Sequence, residues 1–136
     1  GFRAQGVDAL GRAGMAGMTT IERGMVIDIN LDPVQGSETG KVRPCIVVTN
    51  DVYNARVPVI QVVPITAWNE KKGRIKTNVT LEPSALNGLD KKSVGDCLQT
   101  RPIDYRLRLS RVRGKMTQDD MLAIDQALKV VFSLEK

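Results

Sequence analysis

Short runs of apolar residues, broken by polar loops, dominate the first two thirds of the chain, and one long helical pattern closes it. Met25-Val26-Ile27-Asp28-Ile29-Asn30-Leu31 alternates apolar and polar in its later half, which reads as a half-buried strand ended by Asp32-Pro33. Cys45-Ile46-Val47-Val48 is continuously apolar and predicts a strand over 44–49 that is buried on both faces. Pro44 cannot donate to a ladder, so it is expected at the first strand position. VPVIQVVPI, residues 57–65, is the next β-rich run, and its prolines point to an edge or a bulge. Shorter strands are expected over 77–81 and 93–99. Asn50 to Asn54 reads as a helical turn, Asn87-Gly88 as a turn, and Asp104 as the cap of a short helix over 105–109. Thr117 followed by two aspartates opens a helix over 118–134, with Met121, Ile124, Leu128 and Val131 as its apolar stripe.

Two polar loops interrupt the strands. The first, 36–43, is bracketed by Gly36 and Gly40 and carries Ser37, Glu38, Thr39, Lys41 and Arg43. It runs straight into the buried strand, so Arg43 sits where a flexible loop meets a rigid base, a common way to build a site. Residues 37–41 are expected to be mobile without a ligand. The second loop, 66–76, carries Thr66, Trp68, Lys71, Lys72, Arg74 and Lys76 against one acid, Glu70. Short twisted strands with a C-terminal helix imply a mainly β fold with appended α, a small antiparallel barrel or coiled sheet.

Composition narrows the chemistry. The 136 residues fit one domain. The first 17 are rich in Gly, Ala and Arg without a sustained period; they read as an added tag or linker, leaving 18–136 as the domain. Setting aside Arg3, Arg12 and Asp8 takes Lys plus Arg from 20 to 18 and Asp plus Glu from 15 to 14, so the net charge falls from +5 to +4. That charge is compatible with a polyanionic partner. No apolar run reaches membrane-spanning length, so no membrane is expected as a partner. With no histidine in the chain, His-based triads and His general bases are excluded and a catalytic zinc site is improbable. Cys45 and Cys97 read as two reduced core thiols of a cytosolic protein. No metal or other cofactor is expected.

Five motifs in order resemble the MazF/PemK family of toxin endoribonucleases. They are Glu22-Arg23-Gly24; Leu31-Asp32-Pro33 with Gly36-Ser37-Glu38; Val42-Arg43-Pro44 with Ile46-Val47-Val48-Thr49-Asn50-Asp51; Val62-Val63-Pro64-Ile65-Thr66; and Gln99-Thr100-Arg101-Pro102-Ile103-Asp104. The resemblance implies an SH3-like, plasmid-maintenance-toxin barrel with a C-terminal helix, and a homodimer. It implies sequence-specific, metal-free cleavage of single-stranded RNA (often mRNA) in the bacterial cytoplasm. It also implies a MazE-like antitoxin whose C-terminal segment blocks the RNA site. The family's catalytic arginine and threonine match Arg43 and Thr66, its loop glutamate Glu38, and an RNA-facing glutamine Gln99. Ser37, Thr39, Lys41, Asn50, Trp68 and Lys71 complete the expected RNA contacts. One departure stands out: where some members carry Arg-Cys-Asp, this chain has Asp96-Cys97-Leu98.

The residues also support a competing class, a non-catalytic binding module of the same barrel that acts through protein contacts. Without the resemblance, Arg43 reads as a structural ion-pair partner and Thr66 as a turn cap.

Overall fold

The computed structural model describes residues 4–5 and 18–134. The expected tag or linker therefore lies outside the described residues, apart from β1, Ala4–Gln5, which pairs antiparallel with β2, Met18–Thr19. The main sheet has seven strands: β3 (Met25–Asn30), β4 (Val42–Val47), β5 (Val59–Ala67), β6 (Asn78–Leu81), β7 (Ser93–Asp96), β8 (Arg101–Asp104) and β9 (Leu109–Lys115). Their order is β6-β7-β5-β4-β3-β9, with β8 also on β5, and every pairing is antiparallel. Three one-turn helices, α1 (Asp51–Asn54), α2 (Glu70–Gly73) and α3 (Tyr105–Arg108), lie in the connections. The long helix α4 spans Gln118–Phe132.

The period of two along each strand divides the core. Cys45 and Val47 of β4 join Ile27, Ile29, Ile60, Val62 and Tyr105 in one cluster. Ile46, between them, joins Val26, Val63, Ile65 and Leu81 in a second. All three β4 residues are 0% exposed, so the strand is buried on both faces as its apolar run predicts. Helix α4 covers the second cluster through Ile124 and Ala127, with Met121, Leu128 and Val131 packed at its margin. The Thr117 hydroxyl caps α4 by accepting from the Asp120 N–H at 3.1 Å. Truncating Ile124 to Ala is worth about 2–5 kcal/mol, because the cavity adds to the lost transfer energy.

The two end strands, β6 and β9, do not pair with each other. The connection 82–92 spans between them, with the Lys115 N–H donating to the Leu86 carbonyl at 2.9 Å. Its turn needs Gly88: φ is +67°, and a Cβ there would come within 2.4 Å of the Arg113 carbonyl. The buried Asn87 side chain ties the turn to the backbone of Glu82, Ser84 and Leu89.

The strands depart from expectation at the prolines. β4 begins at Val42, so Pro44 is its third residue. It is tolerated because pairing with β5 starts only at Cys45, which leaves one flank open beside it. Pro64 is at no edge, since β5 is the central strand. It falls where β5 changes partner, from β8 over Val59 to Val62 to β7 over Ile65 to Ala67. The missing N–H thus meets a gap between two ladders. β5 also runs on to Ala67, so Thr66 lies within the strand and not in the loop after it. β7 stops at Asp96 and gives way to a 3₁₀ turn, Cys97–Gln99. No helix among the described residues is long and apolar enough to cross a membrane.

Candidate active site

Arg43 is the second residue of β4, fixed opposite Ile29 of β3. The β4–β5 ladder ends at Cys45↔Pro64. Continued by two residues, that register sets Arg43 against Thr66. Both share the strand parity of the first core cluster but lie beyond it, where the strands have stopped bonding to each other. Both also line a cavity of about 270 Å³ together with Pro44, Ser93, Lys91, Arg113 and the carboxylate of Asp90, which Arg113 holds at 3.3 Å. The splayed strand ends therefore present an arginine and a hydroxyl side by side on a rigid support.

The first loop is drawn over this rim. The Arg43 Nε donates to the Gly40 carbonyl at 2.9 Å. The Gln99 Oε1 accepts from the Thr39 N–H at 3.2 Å, and its Nε2 donates to the Ser37 carbonyl at 3.3 Å. Asp32 accepts from the Lys41 N–H at 2.9 Å, in a turn where Lys41 holds φ at +69°. One loop thus links Arg43 to Gln99. Glu38, Thr39, Gln99 and Arg101 line a neighbouring groove of about 380 Å³. Arg43 and Arg101 both place their charge near the Cys45 thiol, which burial nevertheless pushes up to about 12.

A second group meets Thr66 from the opposite side. The Lys72 ammonium of α2 lies 3.4 Å from the Thr66 Oγ1. Asp96 stands close by. Burial raises its carboxyl above the usual range, opposed by the Gln99 and Leu98 N–H groups and by the charge of Lys72.

The expected site residues therefore divide. Arg43 and Thr66 line one cavity, and Arg43 is tied at Gly40 to the loop that carries Ser37, Thr39 and Lys41, which Gln99 holds at residues 37 and 39. Glu38 is next to this group, but its Oε1 closes the loop's own turn by accepting from the Gln35 N–H at 2.9 Å. Asn50 is at the other end of β4, where it caps α1 by accepting from the Val52 N–H at 2.8 Å. Trp68 is half-buried: the Lys92 ammonium covers its ring at 4.1 Å, and a Cβ on Gly73 would meet its Nε1 at 2.6 Å. Lys71 is exposed on α2, one residue from the lysine that reaches Thr66.

Lys72 and Arg113 were not singled out by the sequence reading. For Lys72 the signal is the Asn69 cap. The Asn69 side chain accepts from the Lys72 N–H at 2.7 Å, which starts α2 and turns Lys72 back toward the strand end.

Among the described residues Arg43 donates to a backbone carbonyl and to no carboxylate. A guanidinium without an acidic partner, beside a hydroxyl and an ammonium, suits an anionic oxygen ligand. Fold and site together define a small β domain whose rim brings an arginine, a threonine hydroxyl and lysines together.

Residues 22–132 match the family described as PemK-like, MazF-like toxin of type II toxin-antitoxin system. The chain belongs to that family. Among solved structures, it is 25% identical to the Mycobacterium tuberculosis toxin MazF-mt6, with 84% of this chain and 100% of that one covered at a TM-score of 0.64. It is 23% identical to MazF from Deinococcus radiodurans, covering 85% and 98%, at a TM-score of 0.72. It is 22% identical to an endoribonuclease solved in complex with its cognate antitoxin from a mycobacterial species, covering 84% and 96%, at a TM-score of 0.67. The latter two likenesses speak to the fold, which is the MazF type.

Proposed function

We propose that this toxin is a sequence-specific, metal-independent endoribonuclease that cleaves single-stranded mRNA in the bacterial cytoplasm, inhibiting translation and growth. The observation that carries the reading is Arg43 and Thr66 lining one cavity where the β4–β5 ladder ends, the guanidinium making no ion pair with a carboxylate among the described residues.

RNA brings its own nucleophile. The 2′-OH attacks the adjacent phosphorus, the P–O5′ bond breaks, and the products are a 2′,3′-cyclic phosphate and a 5′-OH. The protein must align that hydroxyl in line and stabilise the charge growing on the phosphoryl oxygens. Arg43 supplies a permanent positive charge and a two-point fit to phosphate. Thr66 donates a hydrogen bond to the same group. Glu38 is spent on its own turn, so its contribution in this reading is the shape of the loop that Ser37, Thr39 and Lys41 present to RNA. Gln99 sets that shape from the other side. Lys71 adds sequence-independent attraction. Trp68, packed against Gly73 and covered by Lys92, serves the fold of the second loop more than base stacking.

The reading includes a homodimer and a MazE-like antitoxin whose C-terminal segment occupies the RNA site. Its support is the family itself and the mycobacterial relative solved with its antitoxin. The test is incubation of the purified protein with a long mixed-sequence RNA in EDTA, without ribosomes. Cleavage at a short recurring sequence is expected, reduced by about 10²-fold or more in Arg43→Ala and in Thr66→Ala while each variant keeps its circular dichroism spectrum. Intact RNA across many sequences would favour the binding module instead.

A further inference from the structure

We propose that Lys72 is a positioning residue that presets Thr66 as a hydrogen-bond donor to the scissile phosphate. The inference deepens the endoribonuclease reading and rests on it.

The argument is one of donors and acceptors. An ammonium has three N–H donors and no acceptor, whereas a hydroxyl has one donor and two lone pairs. In the 3.4 Å contact between the Lys72 Nζ and the Thr66 Oγ1, the threonine oxygen must therefore accept. Its own proton is then free to point away, toward whatever occupies the rim beside Arg43. Without Lys72 the hydroxyl rotates freely and can spend its proton on another acceptor before substrate arrives. The ammonium also makes the threonine a stronger donor, since a hydroxyl that accepts from a cation is polarised toward giving its hydrogen.

Lys72 is held for this task at three points. Its N–H donates to the Asn69 side chain at 2.7 Å. Its carbonyl accepts from the Asn78 Nδ2 at 3.1 Å. Its side chain is half-buried and ends on Thr66. Asn78 lies opposite Asp96 in the β6–β7 register, and the charge of Lys72 acts on Asp96 as well. Lys71, its neighbour, has an exposed side chain and none of these ties.

The test uses the full-length protein and a fluorescent single-stranded RNA carrying one cleavage site taken from the long-RNA map. Lys72→Met is expected to lower kcat about tenfold or more with KM within about twofold, the pattern of an interaction made in the transition state. Lys71→Met is expected to raise KM and to reduce the salt dependence of binding by about one unit of slope. In a Thr66→Ala background, Lys72→Met is expected to cost less than about twofold, because the two residues act as one unit.

The conservative rescue is chemical. The thiol introduced by Lys72→Cys is alkylated with bromoethylamine, restoring an ammonium at nearly the original reach. Cys45 and Cys97 stay unmodified, as burial pushes both thiols up to about 12. Recovery of kcat on alkylation is expected. Lys72→Gln repeats the measurement should Lys72→Met melt below the assay temperature.

Unchanged kcat in both Lys72 variants, or an equal loss with and without Thr66, overturns the role of Lys72 alone. A parent protein that cuts no RNA overturns the endoribonuclease reading, and the role of Lys72 with it.

Discussion

Two arginine-bearing regions lie one residue apart on the same pair of strands and behave oppositely. Asp28 faces Pro44 in the β3–β4 register, and Ile29 faces Arg43. Side chains alternate across a sheet, so Asp28 and Arg43 emerge on opposite faces despite their closeness along the backbone. On its own face the mostly buried Asp28 takes Arg113 at 2.6 Å and Arg111 at 3.2 Å, and Arg113 also reaches Asp90 at 3.3 Å. On the other face, among the described residues, the Arg43 guanidinium meets the Gly40 carbonyl and no carboxylate. A paired guanidinium is consumed by the fold, whereas an unpaired one on a rigid strand is free for a ligand. The alternation of the strand puts the Asp28 carboxylate on the other face from Arg43, while Asp90, which lines the same cavity as Arg43, is held by Arg113.

The largest expected effect breaks the unpaired side. Arg43→Ala should reduce cleavage of a defined RNA by about 10²–10³-fold, the usual cost of removing one charge-stabilising donor. Its thermal midpoint should stay within about 2 °C of the parent, because no ion pair is lost. A collapse of stability with activity would place Arg43 among the structural arginines.

Next comes the paired side. Asp28→Ala leaves the Arg113 guanidinium, with only 13% of its side chain exposed, facing a vacant carboxylate position. Breaking such a buried pair costs about 3–5 kcal/mol. Urea unfolding should show that loss, while the remaining folded protein cuts RNA within a few-fold of the parent. An unchanged midpoint would mean that the cluster contributes nothing to the fold.

A smaller effect tests the tether between the loop and the rim. Gln99→Ala removes both side-chain bonds to residues 37 and 39. About a tenfold loss of kcat/KM is expected, or ~1.4 kcal/mol. It should fall on recognition of the flanking bases, read by comparing RNAs that differ beside the cleavage step.

How much of this was legible in the sequence depended on whether local pattern or distant pairing decides the residue. β4 was legible because its apolar run is buried on both faces, and α4 because its cap and stripe are both local. The motifs around them single out Arg43 and Thr66, but that both line one cavity follows only from the strand register. The role of Pro64 was misread. A proline in a strand signals an edge or a bulge, and nothing in VPVIQVVPI reveals that β5 trades one partner for another at that residue. β9, Leu-Ser-Arg-Val-Arg-Gly-Lys, went unread because an end strand with exposed side chains keeps no apolar alternation, and its register with β3 shifts twice. Lys72 and Lys71 look alike in the sequence, and it is the turn started by Asn69, which holds both, that points Lys72 at Thr66.

The smallest expected effect sharpens the comparison within the paired cluster itself. Arg111 and Arg113 share Asp28, but the Arg111 side chain is 57% exposed and that of Arg113 only 13%. Water and salt screen the first contact and not the second. Arg111→Ala should therefore cost no more than about 1 kcal/mol in urea unfolding at low salt, and nothing measurable in 1 M salt. Arg113→Ala should cost several times more and keep most of that cost at high salt, since it strands the mostly buried Asp28 carboxylate. The same pair of measurements on Arg43→Ala should show no stability change at either salt concentration. Equal costs for Arg111 and Arg113 would mean that burial does not separate structural arginines from available ones in this sheet. The contrast drawn for Arg43 would then lose its physical basis.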